Sequence, residues 1–262
     1  MREPVKNALS LIPDHRRTEG ITVLIYHRVG GDTQDELDLA EADFVNQLDT
    51  LARHRVLGLD DALDQLDRGD PSPGVVLTFD DGFSEVYESA WPHLRDRGLP
   101  FLVYLASAYV GRPMTWTGST AGGRPGTGLT WRQLDEMVAS GLCSIGNHTH
   151  SHARPEALTP DELDACTHAV QTHLGVRPQH FTYPWGMPVP RMEPALRERF
   201  RSASTGELGR NHPGTDRMRL RRVPVRRTDP DRFFRAKLTG SLRAERAYAG
   251  VVTTAKRAGM HA

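Results

Sequence analysis

Cysteine is nearly missing from this chain: Cys143 and Cys166 are the only two in 262 residues. Neither has a CxxC neighbour, which excludes a disulfide framework, a zinc ribbon and a thiol redox motif, and leaves two buried free thiols as the expectation. No run of about 18 apolar residues occurs, so no membrane-spanning helix is expected. Nor does the N-terminus combine a basic start with a short apolar stretch, so no secretory leader is read there and a cytoplasmic protein is expected. Repeats of fixed period are absent. Basic stretches interleaved with aromatics and finger-type ligand spacings are absent too, which argues against a nucleic-acid partner.

Net charge is also lacking, with 33 basic residues against 33 acidic ones. The balance hides an asymmetry. Residues 32–70 hold 12 acidic and 3 basic side chains, a net charge of −9, whereas residues 217–262 hold 13 basic and 3 acidic, a net charge of +10. The basic end would suit a phosphate-bearing or lipid-linked substrate or a peripheral membrane contact. The favoured reading is simpler: the two segments compensate each other within one fold.

What is present is a globular composition, 38% hydrophobic and 25% charged, with room for a sizeable core. ITVLIYHRV, VVLTF, LPFLVYLAS, CSIGNH and HFTYPWG read as buried strands. Between them, residues 41–51, 59–66, 84–97, 130–141 and 160–174 carry apolar side chains at helical spacing, with Thr130 as an N-cap. A glycine-rich loop spans 117–128. Strands alternating with helices imply βαβ units and a parallel sheet or barrel, whose chemistry collects where strands end. The polar clusters lie at such ends.

Asp80 and Asp81 follow VVLTF and precede Gly82, where the chain can turn sharply. One carboxylate could ligate a metal while its neighbour stays free as a base; a plain turn with an Asx hydrogen bond is the competing reading. In SIGNHTHSH, a helix beginning after His148 would put His148 and His152 on one face, four residues apart, converging on one ion. His150 would point elsewhere.

TFDDG at 78–82, HTHSH at 148–152 and FTYPWG at 181–186 resemble, in this order, the first three motifs of the polysaccharide deacetylases, carbohydrate esterase family 4. The resemblance covers about residues 21–225 and implies a single α/β domain built as a distorted (β/α) barrel of about seven parallel strands. It also implies hydrolytic removal of an N-acetyl group from an amino sugar. Carried over residue by residue, Asp80 matches the general base and Asp81, His148 and His152 match the ligands of a divalent metal, zinc first, with cobalt, nickel or iron(II) acceptable to the same donors. Trp185 matches the residue whose backbone N–H meets the oxyanion. Tyr183, Pro184, Trp185 and Gly186, with Trp116, are the substrate-binding candidates, and Met187, Trp131 and Tyr26 are further candidates for a stacking wall.

The sequence departs from the common family pattern twice. No leucine-rich motif with its acid histidine is found in 217–262. ITVLIYHRVG instead resembles the opening strand of the subgroup that includes the poly-N-acetylglucosamine deacetylases, which makes His27 the candidate general acid. Thr182 stands where the family usually has the arginine that pairs with the base; LRRVPV resembles the subgroup's substitute, with Arg222 the better match and Arg221 second. The organisation expected is an arm at 1–20, a catalytic domain at 21–230 and a basic helical extension at 231–262. Two alternatives stay open: an amidohydrolase acting on a non-sugar metabolite, and a non-catalytic carbohydrate-binding relative.

Overall fold

The β-branched run Ile21–Tyr26 forms β1, every residue of it buried, and six further barrel strands follow it in the computed structural model. These are β2 (Gly74–Phe79), β3 (Phe101–Leu105), β4 (Cys143–Asn147), β5 (His180–Thr182), β6 (Ser202–Leu208) and β7 (Leu220–Pro224). Each pairs in parallel with the next, and β7 pairs in parallel with β1, closing a seven-stranded barrel. The structure describes residues 2–11, 18–116, 118–119, 126–239 and 242–257. Parts of the expected arm at 1–20, of the loop at 117–128 and of the C-terminal segment lie outside these.

The helices are α1 (Arg2–Leu9), α2 (Glu41–Leu51), α3 (Leu59–Asp67), α4 (Trp91–Asp96), α5 (Trp131–Ala139), α6 (Pro160–Leu174), α7 (Glu193–Arg199), α8 (Asp231–Leu238) and α9 (Arg243–Arg257). Thr130 caps α5 in a reciprocal box with Gln133. Pro160 opens α6, and Gly175 ends it in the left-handed conformation. The expected single helix at 84–97 is broken into a π-turn, Val86–Ala90, followed by α4. Pro92 supplies the reason: it has no N–H to donate into the preceding turn, and the helix widens around it.

Strand residues alternate between two cores. Leu24, Tyr26, Leu77, Phe79, Val103 and Leu105 pack outward against α2, α4, α5 and α6. Ile21, Val23, Val76, Leu102, Tyr104 and Leu220 point inward, and Leu59, Ala62, Leu63 and Leu66 of α3 plug the N-terminal end of the barrel against them. The opposite end, where the strands finish, is left for polar side chains.

The two charged segments meet at Arg217 and Asp67. Arg201 bonds Asp60 and Asp64 of α3, and Arg217 bonds Asp67. Lys237 of α8 reaches Asp229 at 2.6 Å and Glu245 at 3.0 Å, Arg226 reaches Glu245 at 2.5 Å, and Lys6 of α1 reaches Asp229 at 2.8 Å, all with buried or half-buried side chains. Arg217, Arg219, Arg221 and Arg222 of the basic segment each pair with an acidic residue outside it. Among the described residues, no helix is long and apolar enough to cross a membrane.

Candidate active site

The chain after β2 turns at Asp81 and Gly82, with φ of 75° and 89°. A side chain at Gly82 would lie 2.6 Å from Leu105 Cδ1, so the turn tolerates only glycine there. The turn sends Asp80 and Asp81 into the mouth of the barrel, where both are 4% exposed. They point to different partners, as two neighbouring carboxylates in a tight turn can.

Asp81 Oδ1 faces His148 Nε2 at 3.2 Å and His152 Nε2 at 3.3 Å. The three ligand atoms lie within 4.8 Å of one another, all on buried residues. His148 donates from Nδ1 to the Thr182 carbonyl at 2.9 Å, which turns Nε2 toward Asp81 with its lone pair free. Burial pushes the Asp81 carboxyl up, but the facing imidazoles overcome it and hold the group well below the usual carboxylate range. Burial lowers the His152 imidazole and favours its neutral, ligating form. Two imidazoles and one carboxylate, buried and converging, fit a divalent cation with positions left open.

The expected helix through 148–152 is absent. Asn147 Oδ1 accepts from Thr149 N at 2.8 Å, Glu162 of α6 accepts from Ser151 N at 2.8 Å, and Thr149 and His152 adopt φ of 68° and 54°. These side-chain bonds bend the segment into a loop that brings the two imidazoles together by backbone curvature, with ring centroids 4.9 Å apart. His150 turns away to Ser107 Oγ at 2.8 Å.

Asp80 is held by Arg222 from β7, Nη1 at 2.7 Å and Nη2 at 2.9 Å, in a bidentate pair buried on both sides. Nε of the same guanidinium donates to the Thr205 carbonyl at 3.0 Å. Burial raises the Asp80 carboxyl, and the Arg222 charge more than offsets that, so it stays below the ordinary value. Thr182 itself bonds the Ser204 carbonyl and plays no part in the pair. Arg221 turns outward to Glu207 at 3.3 Å.

A cavity of about 320 Å³ opens over these groups, lined by His27, Asp80, Asp81, His148, His152 and Arg222 and walled by Ile25, Leu37, Trp116, Gly118, Trp185, Gly186, Gly206 and Pro224. Trp116 stacks on the His152 ring at 4.5 Å, and Trp185 meets it edge-on at 5.1 Å. Trp185 is 41% exposed and sits at φ 64°. Its loop rests on β6 where Gly186 and Gly206 touch backbone to backbone. Leu37 on the wall had no signal in the sequence; a short parallel pair, Arg28–Val29 with Asp38–Leu39, carries it there.

Five substrate candidates need correction. Tyr183 and Pro184 are buried beneath the cavity, Tyr183 in a cluster with Phe181 and Leu196, and do not line it. Tyr183 lies on the same face of the strand as Phe181, their ring centroids 5.1 Å apart, and so points into the core. Tyr26 is a core residue bonded to Gln47, and Trp131 stacks on His173 of α6. Met187 is exposed and absent from the cavity wall.

Known proteins resemble both sequence and fold. Residues 67–198, half of the chain, match the family model for polysaccharide deacetylase. IcaB from Ammonifex degensii superposes with a TM-score of 0.72 at 31% identity, covering 84% of this chain and 97% of that one. A polysaccharide deacetylase from Bacillus cereus shares the fold, with a TM-score of 0.70 at 20% identity over 84% of this chain and 70% of that one. YxkH of Bacillus subtilis, named for the same family, is 30% identical over 88 residues, which span 34% of this chain and only 26% of that protein. With the barrel, the motifs and the family match in agreement, the chain belongs to the polysaccharide deacetylase family.

Proposed function

We propose that this chain hydrolyses the acetamide of an N-acetylhexosamine in a glycan or glycoconjugate, releasing acetate and a free amine, with zinc in its metal site. The observation that carries this reading is one cavity holding two carboxylates in different states of partnership. Asp81 faces two imidazoles, and Asp80, next in the chain, is clasped by Arg222.

Asp81, His148 and His152 would hold the cation, and cobalt, nickel or iron(II) suits the same donors. Bound there, it would supply Lewis acidity toward the acetyl oxygen and lower the pKa of a water toward neutrality. The chain's own groups do the rest. Asp80, kept ionised by Arg222, takes a proton from the attacking water. The backbone N–H of Trp185 donates to the oxyanion that develops on the acetyl oxygen. His27, on the cavity wall, returns a proton to the departing nitrogen, because an amide anion is too poor a leaving group. Trp116 and Trp185 offer apolar faces for the sugar ring and keep water from its flank.

The test is amine release from N-acetylglucosamine oligomers. Zinc-loaded protein should be active, chelation should abolish the rate and metal should restore it. Asp80→Asn should lower kcat by about a hundredfold or more. A rate undiminished in Asp80→Asn would remove the assigned base, and turnover of a non-sugar amide with none of the oligomers would move the substrate to another class.

A further inference from the structure

We propose that Tyr104, which does not line the cavity, is a positioning residue for the reaction, its ring holding the Arg222 guanidinium in the orientation that clasps Asp80. The inference rests on Asp80 as the base.

A guanidinium is a flat plate whose hydrogen bonds all lie in its own plane. At Arg222 those in-plane contacts go to both oxygens of Asp80 and to the Thr205 carbonyl. They restrain a tilt out of the plane only through their own directionality, and a group packed beside the plate adds to that restraint. Tyr104 on β3 is such a group: the guanidinium carbon stands over its ring, 5.6 Å from the centroid. In barrel order β3 lies across the interior from β7, so the contact bridges opposite walls. The attraction between cation and ring is strengthened by burial: Arg222 is 1% exposed and Tyr104 0%.

The ring is itself fixed at two points. Its hydroxyl lies 3.2 Å from Ser204 Oγ on β6. Its edge occupies the space where a side chain on Gly146 would stand: Tyr104 and Gly146 are register partners, and a Cβ at Gly146 would come within 2.4 Å of the ring. A glycine in mid-strand weakens a sheet unless something approaches closely, and here the ring does. Base, arginine, tyrosine and glycine therefore form one run of contacts through the middle layer of the barrel. Simple filling of space would be met by any large apolar side chain, and this difference makes the proposal testable.

The experiment measures kcat, KM and metal stoichiometry of the zinc-loaded protein with N-acetylglucosamine oligomers for Tyr104→Leu, Tyr104→Met and Tyr104→Phe, each in the natural and in the Arg222→Lys background. Met retains most of the volume without a π face and guards against a Leu variant that fails to fold. The expected result is a kcat lowered about tenfold by Leu and Met, with KM and metal content unchanged, and near-natural kcat with Phe. In the Arg222→Lys background, where the plate is replaced by a point charge, the same substitutions should cost nothing further. Full kcat in the Met variant, an equal loss in the Phe variant, or the same loss repeated in the Arg222→Lys background would each overturn the proposal. A natural rate in Asp80→Asn would be a separate failure, that of the base assignment.

Discussion

Asp81, Thr149, His152 and Trp185 are four of the six non-glycine residues with left-handed φ among the described residues; Asp81, His152 and Trp185 line the cavity, and Thr149 follows the ligand His148 in the chain. Each such conformation costs about 1 kcal/mol or more and persists where the surroundings over-determine it. The strain lies in the loops that aim the ligands, so ligand loss and loop relaxation are coupled. His148→Ala and His152→Ala should each lose most bound zinc, whereas His150→Ala, whose ring only bonds Ser107, should keep near-stoichiometric metal by elemental analysis. The reverse pattern would sink the ligand assignment. Arg222→Gln should keep metal too, yet lower kcat by tenfold or more, because it strips the buried Asp80 of its counter-charge.

Among the elements, α3 is held by ion pairs as well as by apolar contacts. His180 and Arg201 pull the Asp60 carboxyl down to about 2. A carboxylate depressed in the folded state stabilises fully above its unfolded value near 4, and that contribution is lost as pH falls toward 2. Asp60→Asn should therefore flatten the acid-unfolding curve of the natural protein within that window, as read by circular dichroism, with little change at neutral pH in its pH slope. Leu63→Ala, which empties part of the plug, should destabilise by about 2 to 5 kcal/mol in denaturant melts. Gly146→Ala should cost about 1 to 3 kcal/mol by overpacking against Tyr104.

These elements also mark how far the sequence could be read. Strands β1 to β5 and helices α2, α3, α5 and α6 announced themselves by apolar period, and Thr130 by its capping chemistry. The HTHSH loop did not, because its course depends on Asn147 and Glu162 side chains bonding backbone that a helix would otherwise use. Tyr104 was equally silent: in a strand buried on both faces, nothing in the pattern tells the inward residue from the outward one. Arg222 entered only through the likeness of LRRVPV to a subgroup, since its partner Asp80 is distant in the chain and joined to it only by barrel closure.

For the molecule as a whole, the two ends of the chain are tied to the barrel by a buried ionic cluster. Lys6, Asp229, Lys237 and Glu245 are each 8% exposed or less, and Glu36 joins them from the loop that carries Leu37. Buried pairs of this kind add little over an apolar substitute, but removing one partner leaves a charge stranded, at a cost of about 3 to 5 kcal/mol. Lys237→Met should lower thermal stability by that order in calorimetry, and the double change with Asp229→Leu should recover part of the loss.

Barrel closure also imposes an order of assembly on a chain made from its N-terminus. Asp81, His148 and His152 all precede β5, so the groups that grip a cation have been synthesised before β6 and β7 emerge. Arg222 arrives with the last strand, the one that seals the ring against β1. A nascent or C-terminally shortened chain would thus be able to assemble its ligands while its base lacked a counter-charge, so that hydrolytic competence comes only with the sealed barrel.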